Sequence, residues 1–121
     1  MFSTIKKWMP VGQVPELSAD ELNRLVKDVA TPVQILDVRT QLEWQMGHIS
    51  GATNVPITHL NGAVDDLEFD KQLPVVAICL SAHRSIPAVR VLKELGYSDV
   101  KQLAGGMRAW NKCYKDELET G

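Results

Sequence analysis

Apolar residues along this chain fall into short runs separated by stretches with helical spacing. The run Val75-Val76-Ala77-Ile78-Cys79 is continuous and apolar, the pattern of a strand buried on both faces of a parallel sheet. After a polar loop, Ala88, Val91, Leu92 and Leu95 recur at i, i+3, i+4 and i+7, one face of an amphipathic helix. Val33–Val38 predicts another buried strand, Ala52–Ile57 a small one, and Asp99–Leu103 the last. Leu22, Leu25, Val26 and Val29 form the stripe of an early helix, and Met107, Trp110, Tyr114 and Leu118 that of a C-terminal one.

Polar punctuation supports these elements. Ser18 and Glu21 make a capping box before the first stripe, and Pro32 is expected to end that helix. Thr40 and Glu43 make a second box for a short helix closed by Gly47. In the central helix Ser85 can cap the start, Pro87 is tolerated in the first turn, and Gly96 sits where helices are commonly closed. Val14–Leu17 reads as a very short edge strand, and Thr58–Leu73 as one or two short helices carrying a solvated acidic run. Residues 1–13 form a lead-in segment and 14–121 the domain. In the lead-in, Phe2, Ile5, Trp8 and Met9 can form one side of a short helix beside Lys6 and Lys7, expected to pack on the domain rather than on a membrane.

Bulk properties narrow the function. A chain of 121 residues, 45% hydrophobic and 23% charged, is one ordinary globular domain with enough core to need no disulfides. A net charge of -2 gives no global attraction to nucleic acid. No apolar stretch reaches the length of a membrane span, and the N-terminus lacks the apolar core of a secretory signal. The two cysteines, Cys79 and Cys113, fit a reducing compartment, so a cytoplasmic location is expected. No metal-ligand spacing occurs, and the chemistry below needs no cofactor.

Cys79 ends a buried strand, and the loop Leu80-Ser81-Ala82-His83-Arg84 leads from it into a helix. Unpaired N–H groups and the positive end of the helix dipole favour sulfur in its anionic, nucleophilic form there, and Arg84 adds charge. The other reading of Cys79 is a small buried apolar residue. The loop and the arginine favour the nucleophile.

The stretch Cys79-Leu80-Ser81-Ala82-His83-Arg84-Ser85 resembles the active-site loop of the rhodanese family of sulfurtransferases: a cysteine, four residues, then arginine and serine or threonine. Ile35-Leu36-Asp37-Val38-Arg39 resembles the family's first block, Glu43 with Gly47-His48-Ile49-Ser50-Gly51-Ala52 its second, and Leu103-Ala104-Gly105-Gly106 with Trp110 its closing block. The resemblance implies a three-layer α/β/α fold around a mainly parallel five-stranded sheet. It implies sulfur transfer through a Cys79 persulfide, from thiosulfate or a persulfide donor to a thiol, cyanide or a protein acceptor. Cys79 and Arg84 would be catalytic, with Leu80, Ser81, Ala82, His83 and Ser85 forming the loop that binds substrate. Asp37 belongs to the family's active-site neighbourhood; by itself it can accept loop N–H groups, pair with an arginine or only tie down a turn. Arg39 can be a pocket cation or pair with a carboxylate such as Glu43. His48 reads as a hydrogen-bonded turn residue before a general base.

Loop length separates two chemistries. Cysteine-dependent phosphatases and arsenate reductases are the alternative, but phosphatases place five residues between cysteine and arginine, and four stand here. A tighter ring of N–H groups suits one terminal sulfur better than a phosphoryl group. Departures from the family pattern also count. Leu80 stands where the family often has arginine, and Ala82 where it commonly has glycine, which would cost about 1 kcal/mol if the backbone there has positive φ. His83 can supply a replacement donor or be an exposed loop residue. These changes predict weak handling of thiosulfate beside a persulfide donor. A binding or sulfur-relay module with little turnover is the remaining class.

Overall fold

The structure, a computed structural model, describes residues 8–121. Phe2, Ile5, Lys6 and Lys7, expected in a short helix, lie outside the described residues. Five strands form one sheet: β1 Glu16–Leu17, β2 Gln34–Asp37, β3 Thr53–Asn54, β4 Val75–Ile78 and β5 Val100–Leu103. Their order is β1-β5-β4-β2-β3, and every pairing is parallel. Helices α1 (Ala19–Lys27), α2 (Gln41–Met46), α3 (Ile57–Ala63) and α4 (Ser85–Glu94) connect them, and α5 (Gly106–Tyr114) follows β5.

Alternation along β4 divides the core. Val75, Ala77 and Cys79 join Leu36 and Val38 of the β2 segment, Leu60 of α3, and Ala88, Val89 and Leu92 of α4 on one side. Val76 and Ile78 join Leu22 of α1 and Met107 and Trp110 of α5 on the other. Buried on both faces, the strand has no polar side to show, which is why its sequence reads as an unbroken apolar run. Each large residue buried here stabilises the fold by roughly 2–5 kcal/mol against truncation to alanine.

The order of strands fixes where chemistry can sit. From β2 the chain moves outward to β3, then returns to place β4 on the other side of β2 and continues outward to β5. The junction of β2 and β4 is therefore a switch point, and a crevice opens at the carboxyl ends of these strands. Asp37 and Cys79 stand at those two ends.

The elements depart from the sequence reading in several places. Helix α1 ends at Lys27 with Asp28 as its cap, so Pro32 does not end it and Val29 is 96% exposed instead of completing the stripe. Asp28 closes the turn early by accepting from the Ala30 N–H. Helix α5 stops at Tyr114, and a 3-10 turn at Lys115–Glu117 carries Leu118 back onto the core that Met107 and Trp110 occupy. Both capping boxes form. Among the described residues of the lead-in, Met9 and Val11 reach α4, where Arg90 donates to their carbonyls.

Candidate active site

The thiol of Cys79 sits at the end of β4 and is 1% exposed. The His83 N–H donates to its Sγ at 3.1 Å, and the Ser85 Oγ lies 3.5 Å away on the inner side. The loop curls around the sulfur because Ala82 takes a left-handed backbone, φ +69°, the conformation expected where the family has glycine. A second clamp comes from α5. The Met107 N–H donates to the Cys79 carbonyl at 2.8 Å and the Arg108 N–H to that of Leu80 at 3.0 Å. First-turn helix amides that have no intrahelical acceptor thus hold the loop's carbonyls.

Ser85 does not cap α4. Arg84 occupies the cap position without a side-chain hydrogen bond, and the Ser85 hydroxyl donates to Gln102 Oε1 at 2.6 Å. Ser85 is wholly buried, so its hydroxyl needs a partner inside the protein, and the β5 amide supplies it.

Arg84 points away from a purely solvent role. Its guanidinium makes a two-pronged pair with Glu43, Nη1 to Oε1 at 2.8 Å and Nη2 to Oε2 at 3.0 Å. This geometry is the strong, fixed form of the arginine–carboxylate contact. The Arg84 guanidinium, helped by the Thr40 amide and hydroxyl, holds the Glu43 carboxyl at about 2, well below the usual range. In return the carboxylate pushes the Arg84 pKa up, with the charges at Cys79 and Asp37 adding smaller pulls in the same direction. Glu43 therefore cannot be the partner of Arg39. That partner is Asp37, held by Arg39 Nη2 at 2.7 Å and by the Arg39 amide at 3.0 Å. Both side chains are buried, and Arg39 also donates to the Gly47 carbonyl. The pair ties the end of β2 to the end of α2, and Asn54 seals it by donating to the Asp37 and Arg39 carbonyls.

The predicted residues thus divide. Cys79, Leu80, Ser81, Ala82, His83, Arg84 and Ser85 form one loop around the sulfur, while Asp37 and Arg39 brace the floor under it. The His83 imidazole is exposed and lies 3.1 Å from Ser81 Oγ, so the backbone of His83, and not its ring, meets the sulfur. Leu80 is half-buried and packs on the α1–α5 side of the core. His48 stacks on Trp44 and places Nδ1 2.7 Å from the Trp44 carbonyl, the turn-fixing role. Cys113 is exposed on α5. Sequence reasoning missed Glu43 as the arginine's partner, although its capping-box position fixed its orientation. It also missed Gln102, whose one signal is an amide in an otherwise buried strand. No group of side chains fit to hold a metal occurs among the described residues. A groove of about 620 Å³, lined by Thr40, Trp44, Asn54, Pro56 and His59 among others, opens between α2, β3 and the start of α3.

Comparison with known proteins agrees with this architecture. The family model for the rhodanese-like domain matches residues 18–113, and the chain belongs to that family. It is 33% identical over 97 residues to thiosulfate sulfurtransferase GlpE of Shewanella oneidensis, covering 80% of this chain and 92% of that protein. It is 32% identical over 91 residues to a probable adenylyltransferase/sulfurtransferase, MoeZ, of Mycobacterium tuberculosis, covering 75% of this chain but 23% of that one. The match spans under two thirds of several such curated relatives. Among solved structures, a rhodanese-like domain protein from Staphylococcus aureus superposes with a TM-score of 0.76 at 30% identity, covering 89% of this chain and 99% of that one. The three-layer fold with its five-stranded parallel sheet is the fold of this family. No helix among the described residues is long and apolar enough to cross a membrane.

Proposed function

We propose that the protein is a sulfurtransferase that carries sulfane sulfur as a Cys79 persulfide. The observation that carries this reading is the Cys79 sulfur held under the His83 N–H inside a four-residue loop at the β2–β4 switch point. The Cys79 thiolate attacks the outer sulfur of a donor. The donor's S–S bond breaks and the rest of the donor leaves as a thiolate, or as sulfite if the donor is thiosulfate. The new terminal sulfur then lies within the ring of loop amides, where N–H groups fixed in place stabilise its negative charge. An acceptor thiolate or cyanide attacks that sulfur and releases Cys79. Membership of the family and likeness to a thiosulfate sulfurtransferase support the general class.

The donor in this reading is a persulfide before thiosulfate. Both prongs of Arg84 are engaged by Glu43, and Leu80 brings no charge, so the loop offers little free cation to a dianion. The protein itself can be the acceptor's partner only where a thiol reaches a nearly buried sulfur, which favours small thiols or an extended protein terminus.

Intact mass after mixing the reduced protein with donor, beside Cys79→Ser, tests the reading. A gain of one sulfur that cyanide removes, absent from the variant, is expected. No gain from thiosulfate or from a persulfide would overturn it in favour of a binding module.

A further inference from the structure

A buried chain of hydrogen bonds runs from the surface of β1 to the inner side of the Cys79 sulfur. Glu16 and Gln102 are register partners on β1 and β5, and Gln102 Nε2 donates to Glu16 Oε2 at 2.7 Å. Gln102 is 4% exposed, and its other end accepts from the Ser85 hydroxyl. Ser85 Oγ in turn lies 3.5 Å from Cys79 Sγ.

The direction of every bond in this chain follows from its exposed end. An ionised carboxylate only accepts, so the amide NH₂ of Gln102 must face Glu16. Its oxygen then faces Ser85, and an amide oxygen also only accepts. The single hydroxyl proton of Ser85 is therefore committed to Gln102, and lone pairs of Oγ face the sulfur. A thiol can donate its S–H to them. A thiolate meets no donor on that side unless the hydroxyl turns, which strands a buried amide oxygen. On the other side, the His83 N–H favours the anion.

We propose that Gln102, oriented by Glu16, is a positioning residue that withholds the Ser85 hydroxyl proton from Cys79 and so keeps the resting sulfur less reactive than its loop alone would make it. The inference rests on the reading of Cys79 as the nucleophile, and its test does not require sulfur transfer. Other titratable or charged residues of the loop and of the elements packed against it are His83 and Arg84, Glu43 of α2, Asp37 and Arg39 at the end of β2, and Arg108 of α5. All are unchanged in the variants below, so a difference between variants reports on the chain from Glu16.

The experiment follows the rate of Cys79 alkylation by iodoacetamide against pH, in a Cys113→Ser background, with intact mass as the readout. In Gln102→Met the hydroxyl is free to donate to the sulfur. The midpoint is expected about one pH unit lower, with alkylation about tenfold faster on the acid side of the wild-type midpoint. Adding Ser85→Ala to Gln102→Met should cancel the shift. Glu16→Gln, a change at the exposed end of the chain, should shift the midpoint in the same direction by a smaller amount, because a second amide no longer dictates how Gln102 is turned. An unmoved or raised midpoint in Gln102→Met overturns the proposal, as does a lowering that survives Ser85→Ala. If Gln102→Met does not fold, Glu16→Gln decides alone: a midpoint equal to wild type overturns it. A protein that takes no sulfur from any donor but shows these shifts would refute the sulfurtransferase reading and leave this one standing.

Discussion

At the scale of single residues the loop holds one strained position and one dominant pair. Ala82 has φ +69°, where a Cβ costs roughly 1–2 kcal/mol. Ala82→Gly removes that strain but adds freedom to the unfolded chain, an opposing effect of about 0.4–1 kcal/mol. The net expectation is a gain of between zero and about 1.6 kcal/mol in urea unfolding, and a measured loss would show that the loop is not strained there. The Glu43–Arg84 pair gives a pH signature. The Glu43 carboxyl lies at about 2 in the folded protein against 4.5 for the free group. A depressed carboxyl contributes stability that is fully present above its unfolded value and is lost as pH falls through its folded one. Wild type should therefore be more stable than Glu43→Gln above about pH 4.5, and the difference should shrink between 4.5 and 2. Thermal midpoints across that range check it. A constant difference would mean that the pair's effect is not electrostatic.

Between elements, the contact of α5 with the Cys79 loop leaves no spare volume. Gly106 has φ +58°, and a Cβ built on it would meet the Cys79 carbonyl oxygen and the Leu80 carbonyl, the latter at 2.6 Å. Backbone atoms cannot swing aside as a side-chain tip can. Gly106→Ala is expected to destabilise the protein by roughly 2–4 kcal/mol and to cut persulfide formation at Cys79 by about a hundredfold or more, since the loop must shift. Sulfur loading measured by mass on the folded fraction decides it, and loading at the wild-type rate would mean that the loop tolerates displacement. The strand-loop-helix around Cys79 was legible in the sequence because the apolar period is a local signal. Partners were not. Arg39 with Asp37 in place of Glu43, and Ser85 with Gln102 in place of a cap, are choices between chemically similar donors. Only the stacking of β5 beside β4 and of α2 over the loop decides them. Val29 shows the same limit from the other direction, since its spacing fits the stripe but Asp28 turns the chain first.

Across the whole molecule, both ends of the described chain return to the supports of the site. β1 pairs with β5 and presents Glu16 to Gln102 behind Ser85. At the other end Glu119 bridges with His48 through both backbone groups, its carboxylate accepts from Ser50, and the Gly121 N–H donates to the Gln45 carbonyl of α2. Leu118 packs into the core beside Trp110 and lies against Gly47, whose carbonyl holds Arg39. Residues 115–121 thus strap α2, the helix that carries Glu43 to Arg84. Deleting them removes a half-buried leucine and several backbone hydrogen bonds, a loss of about 2 kcal/mol, so the thermal midpoint should fall by about 5 °C or more. The loop should loosen with it, because α2 loses its backing while Glu43 remains. Circular dichroism gives the first quantity and the alkylation rate of Cys79 in the folded protein the second. A lower midpoint with an unchanged alkylation rate would separate the strap from the site, and would mean that Glu43 is held by its own capping box with Thr40 alone.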